Sequence, residues 1–311
     1  MSIIQNYLKL VKFAHTIFAL PFALIGFTMG VLYLNSQGLD IQILKFLFIV
    51  LICMISARNA AMGFNRYLDR DIDAANPRTR DREIPKGTIS AKSALLFVVF
   101  NSIIFIIAAA FLSKICFYLS PLALFILLIY SYIKRVSSLC HFVLGLALSI
   151  APLGAFIALS SASGQLVIWG AIISLATIVL LWVSSFDILY SLSDEDFDKK
   201  HNLNSIPVLL RRKRAMNLSL WLHLIILPLL VLLYFQIFSQ QSPILAILDP
   251  NNLIISKAIF IISCLIFAGL LIFQHCIISS TNLRRLNAAF FTTNGIASIL
   301  FSIGVISSLI I

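Results

Sequence analysis

Charge is scarce in this sequence, and acid is scarcer still. Only 11% of its 311 residues are charged, and only 12 are aspartate or glutamate. Soluble domains carry about 25% charged residues, so a water-facing globule of this length is excluded. The five cysteines (Cys53, Cys116, Cys140, Cys264 and Cys276) contain no CxxC pair. That removes zinc-ribbon and thioredoxin-like redox chemistry and leaves small apolar packing residues. The five histidines (His15, His141, His201, His223 and His275) show no metal-ligand spacing. None is assigned a catalytic role, and His201 alone stands near the chemistry read below. No basic–aromatic module is evident, so the net charge of +11 does not point to nucleic acid as a partner.

What the chain has instead is apolar length. Its composition is 60% hydrophobic, with a mean hydropathy of +1.03. A run of about 20 apolar residues crosses a bilayer core as a helix. About nine such runs are read, near 17–35, 41–62, 94–113, 116–133, 139–160, 165–188, 216–238, 254–279 and 288–310. The fold class is therefore all-α, a polytopic membrane protein in contact with membrane lipids. One domain is expected over 1–311, with cap loops near 65–93 and 190–215. The first run lacks a small-residue cleavage site and is followed by further runs, so it reads as a span rather than a signal peptide.

The basic residues alternate between sides. Lys9 and Lys12 precede the first span, and Lys/Arg residues crowd 66–92, 134–135, 199–214 and 284–285. The opposite side has Lys45, Lys114 and Lys257 near helix ends. The positive-inside rule puts the N-terminus and the basic loops in the cytoplasm and the C-terminus outside, as in a bacterial inner membrane. Pro21, Pro121, Pro152 and Gly154, in or beside spans, suggest kinks lining a cavity.

The few acids are not scattered. Five lie at 69–83 and five at 187–198, leaving only Asp40 and Asp249 elsewhere. Both clusters start at the cytoplasmic end of a span. At about 100° per residue, Asn65, Asp69 and Asp73 fall within about 80° on one helix face, with Arg58 about 20° from Asn65. If the helix continues, Asp187, Asp194 and Asp198 gather within about 40°, with Tyr190 near them. Asp71 and Asp196 point away.

Carboxylates one turn apart repel, and more so at a membrane boundary, where charge is costly to desolvate. A divalent cation removes the conflict. Hard oxygen ligands select Mg²⁺, which takes one or two carboxylates plus phosphate oxygens. Arg78, Arg80, Arg82 and Lys86 follow the first cluster and suit phosphate oxygens left uncovered by metal. Two acidic clusters and a basic loop thus suggest a metal-bridged diphosphate. A loop that merely fixes topology accounts for Arg70 and Lys92, and equally for Lys134 and Arg135. It does not account for repeated carboxylates on one face, because acids contribute little to topology.

These residues carry a family resemblance. Asn65-Arg66-Tyr67-Leu68-Asp69-Arg70-Asp71-Ile72-Asp73 is similar to the NDxxDxxxD motif of the UbiA superfamily of intramembrane aromatic prenyltransferases. Asp194-Glu195-Asp196-Phe197-Asp198 matches its DxxxD motif. The runs "FDILYSLSDEDFDKKHNLNSIP", "YSYIKRVSSLCHFVLGLALSIAPLGA" and "KFAHTIFALPFALIG" look like the same family, so the likeness reaches from Lys12 past Pro207. One departure stands out: Arg66 replaces the motif's first aspartate, about 100° off the Asn65 axis.

The resemblance implies helices around a lipid-accessible cavity and transfer of a polyprenyl group from its diphosphate to an aromatic ring. It implies that Asn65, Asp69, Asp73, Asp194 and Asp198 hold Mg²⁺ on the diphosphate. Asp187 and Tyr190 match the extended second motif, and Arg58 matches an upstream arginine. Arg58, with Lys12, is the candidate for an acceptor carboxylate or a diphosphate oxygen, while Lys134 and Arg135 are candidates for holding diphosphate. The acceptor of first choice is 4-hydroxybenzoate, for ubiquinone; a naphthoate of a menaquinone pathway is second. A CDP-alcohol phosphotransferase is disfavoured, since the chain has no Asp-Gly dipeptide and its clusters lie far apart. A cation-coupled transporter is disfavoured because no carboxylate is read at mid-membrane.

Overall fold

The computed structural model describes residues 3–12, 18–39, 42–278, 286 and 288–311. His15, Asp40, Arg284 and Arg285 lie outside them, as do the outer edges of the first, second and eighth predicted spans. The regular structure among the described residues is helical, with no strand. In order they form α1 (Ile3–Leu10), α2 (Leu20–Ser36), α3 (Ile43–Leu68), α4 (Arg70–Ala75), α5 (Ala91–Leu112), α6 (Lys114–Ile133), α7 (Cys140–Ser160), α8 (Gly170–Ser191), α9 (Glu195–Lys200), α10 (Ile206–Phe238), α11 (Leu253–Ile277) and α12 (Asn294–Ile310). Among the described residues eight helices are long and apolar enough to cross a membrane, and the apolar α2 adds a shorter one of 17 residues. The short α1 was not anticipated. It docks on the basic loop, burying Leu10 beside Ile84, Ile89 and Ala94, with Tyr7 against Phe97.

Large apolar side chains cover the outside, among them Leu44, Phe111, Leu122 and Ile254. A patch of this extent suits lipid, not water. The interior is organised by α8, the most buried of the long helices, whose Trp182 packs on Phe22, Phe186 and Phe267. Helices α2, α7 and α8 approach closely through glycines. A Cβ at Gly26 would overlap the Pro152 carbonyl, and one at Gly145 would overlap the Leu180 carbonyl. Small residues let helix backbones meet in lipid, where no hydrophobic effect pulls helices together. Gly26→Leu is expected to lower stability by about 1–3 kcal/mol through overpacking, read as an earlier thermal transition in detergent.

Pro21 does not kink a span; it sits in the first turn of α2, where its missing N–H costs nothing. Pro121 and Pro152 do lie inside helices α6 and α7. Neither cluster helix is continuous, contrary to the assumption behind the shared-face angles. α3 ends at Leu68 and Asp69 (φ −86°, ψ 5°) joins it to α4. α8 ends at Ser191, and a 3-10 turn over Leu192–Asp194 precedes α9. Asn202 closes α9 in the left-handed region (φ 53°), which asparagine tolerates better than most residues. Helix α10 starts well before the predicted span and breaks at Arg211 (φ 64°).

Candidate active site

The two acidic clusters meet across the fold through the cations between them. The loop after α4 is wound into turns, the first held by Asn76, whose Oδ1 accepts the Arg78 N–H at 2.9 Å. This loop delivers Arg78 to the second cluster. Its Nε and Nη2 donate to Asp194 at 3.0 and 2.5 Å, and its Nη1 donates to the Tyr190 hydroxyl at 2.9 Å. Burial opposes the charge on Arg78, but Asp194 and Tyr190 more than offset it and raise the guanidinium above its ordinary value. Arg82 Nη1 donates to both oxygens of the buried Asp73, at 2.6 and 2.7 Å.

The turn between α6 and α7 supplies the other two cations, one to each cluster. Arg135 Nη2 lies 2.8 Å from Asp69 Oδ1 and also donates to the Leu68 carbonyl at 3.0 Å. Lys134 Nζ lies 2.7 Å from Asp198 Oδ1. Asn65 Nδ2 donates to Asp69 Oδ2 at 3.0 Å, so the first motif's amide and carboxylate do share one face. Burial pushes the Asp69 carboxyl above its ordinary value, against the pull of Arg135.

Four carboxylates are thus matched by four cations, and three further cations remain. Among the described residues Lys12, Arg58 and Arg66 have no carboxylate within ion-pair distance. Arg58 Nη2 donates to the Val11 and Lys12 carbonyls at 3.4 and 3.2 Å, pinning the chain that follows α1. Burial, reinforced by Arg66, Arg82 and Arg78, pushes the Lys12 ammonium down to about 8. Arg66 is only 5% exposed. Its position about 100° off the Asn65 axis did not say which way it turns; it is turned inward, and its Nη1 reaches Asn65 Oδ1 at 3.4 Å.

Other expectations fare differently. Asp71 and Asp196 are exposed, as their angles implied. Arg80 and Lys86 lie at the surface, with no ion pair among the described residues. Glu195 and Asp196 are taken by Arg212 at 2.5 and 3.1 Å. His201 stacks on Phe197 and stays exposed. The histidine in the site is instead His141, whose Nδ1 lies 2.6 Å from Asp187 Oδ2. Its Nε2 accepts the Ile206 N–H at 3.3 Å, so the ring proton sits on Nδ1 and points at Asp187. Asp187 is therefore committed to a histidine, a pairing across 46 positions that no local spacing signals.

Beneath the charges lies an apolar cavity of about 350 Å³ among α3, α5, α6 and α7. Arg58, Met62 and Tyr130 line it, and deeper come Ala57, Cys53, Ala151 and Cys116. Its α3 wall, Val50 to Met62, is about 18 Å long at 1.5 Å per residue, and Asn65 stands one turn beyond. Among the described residues no three His, Cys, Asp or Glu side chains can chelate a metal by themselves. The donor set fits a cation that arrives with its own oxygens, since Mg²⁺ takes only one or two carboxylates beside phosphate. The buried Asp198 carboxylate has Lys134 Nζ 2.7 Å from its Oδ1, a contact that a bound cation would have to share or displace.

Comparison with known proteins agrees with this layout. The chain matches the UbiA prenyltransferase family over residues 19–296. It is 30% identical over 275 residues to a 4-hydroxybenzoate octaprenyltransferase of Tolumonas auensis, covering 88% of this chain and 87% of that one. It is 31% identical over 206 residues to the Francisella tularensis subsp. novicida protein of the same name, covering 66% and 70%. The apo structure of a UbiA homolog from Aeropyrum pernix K1 superposes with a TM-score of 0.76 at 29% identity, covering 94% of this chain and 97% of that one. A UbiA homolog from Archaeoglobus fulgidus, bound to GPP and Mg²⁺, superposes at 0.67 and 21% identity, covering 98% and 100%, and bears on the fold alone. With its paired clusters, apolar cavity and full-length likeness, this chain belongs to the UbiA prenyltransferase family.

Proposed function

We propose that this protein transfers a polyprenyl group from polyprenyl diphosphate to 4-hydroxybenzoate, in ubiquinone biosynthesis, with Mg²⁺ as cofactor. The carrying observation is the charge arrangement at the cavity mouth. Four carboxylates are already matched by basic side chains, and three more cations near an apolar cavity have no carboxylate within ion-pair distance among the described residues. An amphiphile with a polyanionic head and a long apolar tail answers both halves. The 4-hydroxybenzoate octaprenyltransferases among its relatives support the acceptor.

When bound, Mg²⁺ supplies positive charge to the diphosphate as it leaves. Asn65, Asp69, Asp73, Asp194 and Asp198 would hold it. Arg78 and Arg82, with Lys134 and Arg135, keep these carboxylates in place and offer donors to phosphate oxygens as the ion pairs open. Fixed cations aimed at developing charge need no reorganisation during the reaction. The cavity wall excludes water from the allylic carbon C1, and the Tyr130 ring at its mouth offers a π-face to positive charge there. The C1–oxygen bond breaks towards diphosphate. The ring carbon ortho to the acceptor hydroxyl then bonds to C1, and the proton on that carbon is lost. Arg58 is assigned to the acceptor carboxylate, with Lys12 behind it.

By the positive-inside rule, the basic loops support a site at the cytoplasmic face of a bacterial inner membrane, with 65–93 and 190–215 as its cap loops. Purified protein given geranyl diphosphate and a panel of aromatic acids, read by mass spectrometry, tests the acceptor. Geranyl-4-hydroxybenzoate is the expected product, and a prenylated naphthoate in its place would overturn the assignment. The tail path is tested separately. Ala151→Phe, midway along the cavity, is expected to cut kcat/KM for octaprenyl diphosphate by about tenfold or more while sparing geranyl diphosphate. An equal effect on both donors would place the tail elsewhere.

A further inference from the structure

Arg66 is the most confined cation in the site, and among the described residues no carboxylate lies within ion-pair distance of it; Asp73 and Glu83 act on it only from farther away. Asp73 is occupied by Arg82, and Asp69 by Arg135. Its one hydrogen bond among the described residues is to the neutral Asn65 amide, at 3.4 Å. A buried charge without an ion partner is strongly unfavourable. Lysine in such a place can shed its proton, but a guanidinium keeps its charge under all working conditions. An anion bound at the site would supply the close partner that the described residues lack. The contact with Asn65 shows where it would sit, because Asn65 in turn donates to Asp69 on the face read as holding the diphosphate.

We propose that Arg66 is a direct ligand of the diphosphate, a built-in positive charge that lets this protein hold a prenyl diphosphate without any divalent cation. Binding is then largely metal-independent, and only bond breaking at C1 calls for Mg²⁺. The inference rests on the reading of the site as a prenyl diphosphate site. It goes beyond it, since an aspartate at this position would make binding wait for metal.

The test uses full-length protein in detergent and geranyl S-thiolodiphosphate, which binds without reacting, titrated calorimetrically in EDTA and in Mg²⁺. The wild-type protein is expected to bind in EDTA within about tenfold of its affinity in Mg²⁺. Arg66→Met, which replaces the buried charge by an apolar chain that packs well, is expected to lose about 10- to 100-fold in EDTA and much less in Mg²⁺. Arg66→Lys should retain most of the EDTA binding, and Arg66→Asp should bind only with metal. Absence of wild-type binding in EDTA, or equal EDTA affinities for wild type and Arg66→Met, would overturn the inference. Should Arg66→Met fail to fold, Arg66→Lys and Arg66→Asp decide: similar EDTA affinities for those two overturn it. No acceptor is present in this titration. A protein that transfers to no acceptor yet shows Arg66-dependent binding would therefore contradict the proposed reaction and not this inference.

Discussion

Asp194→Ala is expected to lower prenyl transfer by about 10²–10³-fold or more, the loss seen when one group aimed at transition-state charge is removed. Asp69→Ala should do the same. In the proposed site these two carboxylates hold opposite sides of the diphosphate, and neither variant is expected to lose the fold. Asp194 leaves behind Arg78, whose side chain is 38% exposed and can return to water. Ion pairs open to solvent are worth at most about 1 kcal/mol, so the variant should unfold near the wild-type temperature. Initial rates by mass spectrometry, beside a thermal melt of the same preparation, separate lost chemistry from lost structure. Near-normal turnover in either variant would sink the assignment of these aspartates.

The second large effect is on stability. Lys134→Met leaves the Asp198 carboxylate buried with no cation, since Lys134 is its ion-pair partner. Breaking a buried pair by removing one member costs about 3–5 kcal/mol. Replacing Asp198 by asparagine in the same molecule removes the stranded charge, so Lys134→Met/Asp198→Asn should recover much of the loss while remaining inactive. Chemical denaturation of single and double variants measures this. A Lys134→Met protein as stable as wild type would show that Asp198 is held by something other than Lys134.

Much of this was legible in the sequence because it is local. Spans follow from apolar length, and Asn65, Asp69 and Asp73 sit at helix spacing that survives a bend at Asp69. What was not legible depends on distant partners. Arg78 reaches Asp194 over 116 positions, and His141 reaches Asp187 over 46. No periodicity encodes such pairings. Arg80 and Arg82 look alike in sequence, yet only Arg82 turns inward, because the turns after α4 carry it beneath Asp73. The angular estimate for Asp187, Asp194 and Asp198 assumed one helix, whereas Leu192–Asp194 form a separate turn. Lys134 and Arg135 could equally have been topology anchors, and only the fold places them between the clusters.

The most direct measurement is a single-turnover assay of purified protein with geranyl diphosphate and 4-hydroxybenzoate, with product mass followed in Mg²⁺ and in EDTA. Geranyl-4-hydroxybenzoate should form in Mg²⁺, stop in EDTA and disappear in Asp69→Ala. Product formation at the same rate in EDTA, or its persistence in Asp69→Ala, would contradict a metal-assisted diphosphate site built from the two acidic clusters.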